Sequence, residues 1–164
     1  MNIILLEPEI PQNTGNIGRS CAATGTRLHL IGPLGFRLGE REIRRAGLDY
    51  WEKLDVTVYS GWSDFKEQHP DVRPWMATTK ARRIYSDVSY QPDDWIMFGK
   101  ESAGIPEELL KADEERCVRI PMLEWTRSLN LSSSAAVVLF EALRQNGFPG
   151  LRRAGELHRL SWED

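Results

Sequence analysis

Six short apolar runs, at residues 2–7, 27–31, 56–59, 75–78, 95–99 and 117–121, alternate with helix-length stretches, and this alternation constrains the chain most. The runs are rich in Ile, Leu, Val and aromatic residues and are bounded by Pro, Gly, Asn or Asp, as strands are. Helices are expected at 16–25, after the caps Asn13 and Thr14, at 40–46 before Gly47, at 62–69 before Pro70, and at 105–112 with Pro106 in the first turn. The strongest helix begins in Ser132-Ser133-Ser134, runs to Arg144 and stops at Asn146-Gly147. Residues 135–140 are apolar all round, so this helix should be covered on more than one side, by its own domain or by a second copy. The alternation predicts an α/β domain, a mainly parallel sheet flanked by helices. Such sheets hold ligands in the loops at the carboxyl ends of their strands.

At 164 residues with 41% hydrophobic content, the chain has material for one ordinary core. A single domain is expected over residues 1–150, followed by a polar tail at 151–164. No run approaches the roughly 18 apolar residues of a membrane helix, and the N-terminus has no basic leader. Two cysteines, Cys21 and Cys117, fit reduced core thiols in a soluble cytoplasmic protein. The net charge of −3 offers no bulk attraction to RNA or to an anionic membrane. Its distribution is uneven, however. Residues 101–115 hold six acids against Lys111, which leaves the remainder basic. Sixteen of the 21 cations are arginines, whose planar fork suits phosphate. They gather around Arg37, Arg41, Arg44 and Arg45, around Arg73, Lys80, Arg82 and Arg83, and around Arg152, Arg153, His158 and Arg159. Three such patches fit a polyanionic partner as well as an ordinary solvated surface.

Common catalytic signatures are absent: there is no G-x-G-x-x-G after the first strand, no P-loop, no G-x-S-x-G, no H-E-x-x-H and no C-x-x-C. His29, His69 and His158 stand far apart in sequence, so no metal site is expected. Three polar, glycine-containing segments instead join strands to helices: residues 8–19, 98–106 and 120–132. In the first, Asn16 and Arg19 share a helix face, and Arg19 is expected near a helix start, where backbone N–H groups attract anions. In the second, Gly99 and Gly104 permit close backbone approach to a ligand. The third mixes Ile120, Met122 and Leu129 with Ser128, apolar walls with a hydroxyl, as an adenosyl pocket requires. Loops that end in helix caps account for each segment without a ligand.

Taken in order, four strings carry a resemblance: residues 7–19, Arg44-Arg-Ala-Gly-Leu-Asp-Tyr50, Phe98-Gly-Lys-Glu101 through Gly104-Ile-Pro, and Ile120-Pro-Met with Ser128-Leu-Asn-Leu-Ser132. They resemble the motifs of the SPOUT class of S-adenosylmethionine-dependent RNA methyltransferases, over residues 2 to about 150. Within the class they most resemble the small branch that methylates the ribose 2′-oxygen of the wobble nucleotide of tRNA, a cytidine or modified uridine at position 34. The resemblance implies a C-terminal deep trefoil knot, rare among folds, and a homodimer packed through its terminal helices. It implies S-adenosyl-L-methionine as methyl donor, with S-adenosyl-L-homocysteine as product, bound by Ala77, Thr78, Gly99, Glu101, Gly104, Ile120, Met122, Ser128 and Leu129. Arg19, with Asn16, is the implied catalytic pair, and Asn130 is expected to organise its loop. The anticodon stem-loop would meet Arg41, Arg44, Arg45, Lys80, Arg82, Arg83 and Arg127. Phe140 departs from the pattern, where a tyrosine is expected before Glu141. Competing readings are 2′-O-methylation of another tRNA position or of ribosomal RNA, and a non-catalytic RNA- or nucleotide-binding α/β module.

Overall fold

The computed structural model describes residues 1–38 and 50–162. The helix expected at 40–46, and with it Arg41, Arg44 and Arg45, lies outside the described residues. Six parallel strands form one sheet: β1 (Asn2–Leu6), β2 (Arg27–Ile31), β3 (Val56–Tyr59), β4 (Trp75–Ala77), β5 (Trp95–Phe98) and β6 (Cys117–Val118). Their order is β3-β2-β1-β5-β4-β6. All five residues of β1 are buried, as befits a strand covered on both faces.

Alternation along the strands divides the core in two. Ile3, Leu5, Leu28, Leu30, Ile96 and Phe98 face one side, where they meet α1 (Pro11–Thr24) through Ile17 and Cys21. The same side receives the C-terminal helix α4 (Leu131–Gln145) through Ala135, Val138, Leu139, Ala142 and Leu143. Ile4, Leu6, Ile31, Met76 and Met97 face the other side, against Phe65 of α2 (Trp62–Gln68) and Leu110 of α3 (Glu107–Ala112). Both cysteines are buried and unbridged, and burial pushes the Cys21 thiol up to about 12. No helix among the described residues is long and apolar enough to cross a membrane. Residues 151–162 have no regular structure, although Leu151 still packs on the core.

Three boundaries depart from the sequence expectation. The first helix starts at Pro11 rather than residue 16, so Asn13 and Thr14 are buried in its first turn and do not cap it. Proline suits that position, because its fixed φ is helical and its missing N–H has no partner to lose. α3 begins at Glu107, with Pro106 as the extended residue before it. The last strand is two residues long, not five, because the chain changes pairing partner. The Thr78 N–H donates to the Val118 carbonyl, and one residue later Arg119 pairs with the connection beyond β4: its N–H donates to Arg83 and its carbonyl accepts from Tyr85. The 117–119 stretch therefore lies between β4 and residues 83–85, two parts of the same preceding chain.

Folding also joins histidines that sequence spacing separated. One consistent run of hydrogen bonds goes from His69 Nε2–H to the Tyr59 oxygen (2.9 Å), from the Tyr59 hydroxyl to His29 Nδ1 (3.0 Å), and from His29 Nε2–H to Asn2 Oδ1 (3.3 Å). Trp95 and Phe65 pack against these rings. Burial, and then the nearby His69, push His29 down to about 4. A second proton on His29 would also turn Nδ1 into a donor facing a donor. The unfolded chain, with His29 near about 6.5, takes up that proton first as pH falls, so stability drops between about pH 6.5 and pH 4. Urea unfolding at pH 5 should show about 2 kcal/mol less stability from this residue than at pH 7. In His29→Gln, that part of the slope should vanish.

Candidate active site

The carboxyl ends of β1, β4 and β5 open on the same side of the sheet, and the loops that leave them enclose a cleft of about 480 Å³. Ile10 and Asn13 come from the first loop and α1, residues 77–80 from the end of β4, and residues 98–104 from the end of β5. Ile120, Met122 and residues 128–131 come from the passage between β6 and α4, with Ser134. All nine residues expected to hold the donor, Ala77, Thr78, Gly99, Glu101, Gly104, Ile120, Met122, Ser128 and Leu129, are in this lining. Lys80 lines it as well.

The loop after β5 turns back tightly: the Gly104 N–H donates to the Lys100 carbonyl at 2.8 Å, with Gly104 at φ +73°. A Cβ on Gly99 would overlap the backbone of Gly104 and Ile105, so only glycine fits there. This loop is stitched to the one after β1 in both directions. Glu9 accepts the Ser102 N–H and hydroxyl, both at 2.8 Å, which holds its carboxyl below the usual range. Glu101 accepts the Glu9 N–H at 2.8 Å, the Ile10 N–H at 3.3 Å and the Asn13 amide at 2.9 Å. Lys100 and Glu7 add an ion pair at 2.8 Å.

Asn13 carries the connection to the third loop. It is buried, and while its amide donates to Glu101, its Oδ1 accepts from Asn130 Nδ2 at 2.9 Å. Asn130 in turn caps α4, its Oδ1 accepting from Ser132 N–H, Ser133 N–H and the Ser132 hydroxyl. Asn130 thus organises its loop, as expected. The Asn13 role escaped sequence reasoning, which took the residue for a local cap. The signal that could have found it is an amide, able to donate and accept at once, placed just beyond Pro11.

Arg19 and Asn16 are exposed on α1 and do not line the cleft. With α1 beginning at Pro11, Arg19 stands two turns in, so the expected placement beside a helix start is corrected. Its guanidinium lies 5.1 Å from the centre of the Tyr50 ring. The patch at Lys80, Arg82 and Arg83, which has no acid within it in sequence, meets acids from elsewhere in the fold. The acidic 101–115 segment folds against it: Lys80 meets Glu107 at 2.8 Å, Arg82 meets Glu114 at 3.3 Å, and Arg83 donates to the Glu115 carbonyl at 3.0 Å. Nearby, Arg73 holds Asp113 with two hydrogen bonds. Exposed Arg127 has no side-chain partner among the described residues. Those residues contain no group of His, Cys, Asp and Glu able to hold a metal.

Asn13→Ala removes two hydrogen bonds at once, the one to Glu101 Oε1 and the one from Asn130 Nδ2. Urea unfolding should show a loss of about 1–3 kcal/mol, the net contribution of two hydrogen bonds. Asn16→Ala, on the exposed face, should cost less than about 0.5 kcal/mol in the same measurement.

Comparison with known proteins agrees with this geometry. The family model described as the SpoU rRNA Methylase family matches residues 1–140. The chain is 49% identical, over 92% of its length and 96% of the relative's, to the tRNA (cytidine(34)-2′-O)-methyltransferase of Escherichia coli K12. A structure solved for insight into 2′-OH methylation of C/U34 on tRNA superposes with a TM-score of 0.84 at 38% identity, covering 89% of this chain and 95% of that one. The AdoMet-bound rRNA methyltransferase of Sinorhizobium meliloti superposes with a TM-score of 0.78 at 25% identity, covering 87% of this chain and 55% of that one. A parallel α/β sheet whose loops converge on one cleft, and a match over most of the chain, together establish that this protein belongs to the SpoU methylase family.

Proposed function

We propose that this chain transfers a methyl group from S-adenosylmethionine to the ribose 2′-oxygen of the wobble nucleotide, position 34, of tRNA. The observation that carries the reading is the convergence of four separate segments on one cleft, with every residue expected to hold the donor in its wall. Its volume suits a ligand of that size. Ile120, Met122 and Leu129 offer apolar walls for an adenosyl group, while Thr78, Ser128 and the backbone of 99–104 offer hydrogen bonds. The tRNA reading is favoured by relatives of matching length named for cytidine 34. The rRNA methyltransferase neighbour is a longer chain, of which this one covers 55%.

When bound, the donor supplies a methyl group on a sulfonium and leaves as S-adenosylhomocysteine. The chain's own contribution is to position the acceptor. A guanidinium stays protonated and cannot be the base. Arg19 instead grips the phosphate next to the reacting ribose and stabilises negative charge as it develops on the 2′-oxygen. That phosphate or a water takes the proton. Asn16 lies on the same exposed face, within reach of the same nucleotide.

The proposal extends to a homodimer, to a trefoil knot and to a single catalytic domain that ends near residue 150. On α4, Val137 and Phe140 remain 37% and 45% exposed beside an otherwise buried face, an apolar strip suited to a second copy. The enclosure of residues 117–119 between β4 and 83–85 supports the knot. RNA contacts are assigned to Arg41, Arg44, Arg45 and Arg127, and more weakly to Lys80, Arg82 and Arg83 because of their acidic partners.

With labelled donor and unfractionated tRNA, the wild-type chain should label a nucleotide that mass spectrometry maps to the 2′-oxygen of position 34. Arg19→Ala should lower kcat by about 10²–10³ at saturating RNA, with Arg19→Lys in between. Undiminished transfer by the alanine variant would remove Arg19 from the chemistry.

A further inference from the structure

The passage from β6 to α4 has two surfaces with different properties. Met122, Ser128 and Leu129 turn into the cleft, whereas Leu123 and Trp125 turn out, 66% and 81% exposed. The passage is not loose at this point. The Thr126 N–H donates to the Leu123 carbonyl at 2.9 Å, closing a four-residue turn whose third position is Trp125. The indole packs against no ring, cation or core cluster among the described residues. A large apolar ring held in solvent by a defined turn, three residues from the cleft wall on either side, incurs a hydration cost that nothing in the fold offsets. Two residues on, Arg127 presents an exposed guanidinium, also without a partner among the described residues.

We infer that Trp125 is a stacking platform for a base of the substrate RNA at the mouth of the cleft, with Arg127 holding the phosphate that accompanies it. The inference rests on the methyl-transfer reading above and specifies which part of the RNA this side of the cleft takes. A ribose enters a donor cleft only if its nucleotide leaves the stack of its neighbours, which costs stacking energy. An aromatic ring at the rim returns that energy, and it does so for any base, since every base has a π-face. Glu124, beside Trp125 on the same exposed turn, disfavours a phosphate at the tip itself. The tip therefore takes the base and Arg127 the backbone. Trp125 is a positioning residue: it touches neither the donor cleft nor Arg19.

Methyl transfer to an anticodon stem-loop by the full chain tests this, with calorimetry of donor binding and sedimentation velocity as parallel readouts. In Trp125→Ala, KM for RNA should rise about 5- to 100-fold, the range of base–aromatic stacking. kcat at saturation and donor affinity should stay within about twofold, the mark of a contact made equally before and during reaction. Trp125→Phe should restore most of the KM. In Arg127→Ala, KM should rise and its logarithmic salt dependence should fall by about one phosphate contact. An unchanged KM in Trp125→Ala overturns the inference, as does a change in sedimentation that makes Trp125 a contact between subunits. If the wild-type chain methylates no RNA, the functional reading falls, and this inference with it. A wild-type chain that methylates RNA as well as Trp125→Ala does leaves that reading standing and removes only the inference.

Discussion

Everything at the cleft depends on one run of hydrogen bonds, from Glu101 through Asn13 to Asn130. Three of the four segments that build the cleft contribute one of these residues each, and Asn13 lies 88 residues from Glu101 and 117 from Asn130 in sequence. Apolar packing alone would fix the sheet and helices, but it is non-directional and leaves loop registers loose. A buried amide that must satisfy both ends at once admits one arrangement of its neighbours. The carboxylate of Glu101 sets where α1 begins, by accepting the N–H groups of Glu9 and Ile10. Asn130 sets where α4 begins, by capping it. The cleft between those two helix starts is thereby shaped before a ligand arrives, which lowers the ordering cost of binding.

The same region shows why net charge is a poor guide to partners. The acidic segment at 101–115 does not stand apart from the basic residues; it lies across Arg73, Lys80, Arg82 and Arg83. These pairs are exposed and each contributes little to stability. Their larger effect is to lower the local field, so that RNA would have to displace a carboxylate at Arg73, Lys80 and Arg82 and a backbone carbonyl at Arg83. Arg19 and Arg127 face no such competitor among the described residues. Among the described residues, Arg19 and Arg127 thus keep their charge for a polyanion, and contacts to single phosphates set register more than bulk affinity.

Much of this was legible from the sequence, for identifiable reasons. Strands β1 to β5 were found within two residues of their limits, because a sheet buried on both faces writes continuous apolar runs into the chain. The nine residues that the resemblance assigns to a methyl donor all line one cleft. What was missed depends on contacts distant in sequence. Sequence alone places the start of α1 five residues late, because Glu101, whose carboxylate holds that turn, lies far along the chain. β6 was read as five residues because apolar composition cannot say that Arg119 changes its pairing partner to residues 83–85. Sequence spacing argues only against a shared metal site and is silent on the His29–Tyr59–His69 run, which forms because a strand and a helix end meet across a core.

The position of Arg19 follows from these constraints. α1 is anchored at its first turn by Glu101, and a helix rises 1.5 Å per residue, so Arg19 is carried about 9 Å along the axis from Asn13. That distance is fixed by a rigid element and not by a mobile loop, and it puts the guanidinium outside the donor cleft. Arg19 does not line the cleft, so under the proposed reaction it meets the acceptor and not the donor. In that reaction, a nucleotide with its ribose at the cleft mouth and its phosphate on α1 would use both the cleft and Arg19, whereas a free small acceptor would leave Arg19 unused. The separation of an inward, pre-stitched donor cleft from outward cations and an outward indole thus fits a polymer acceptor.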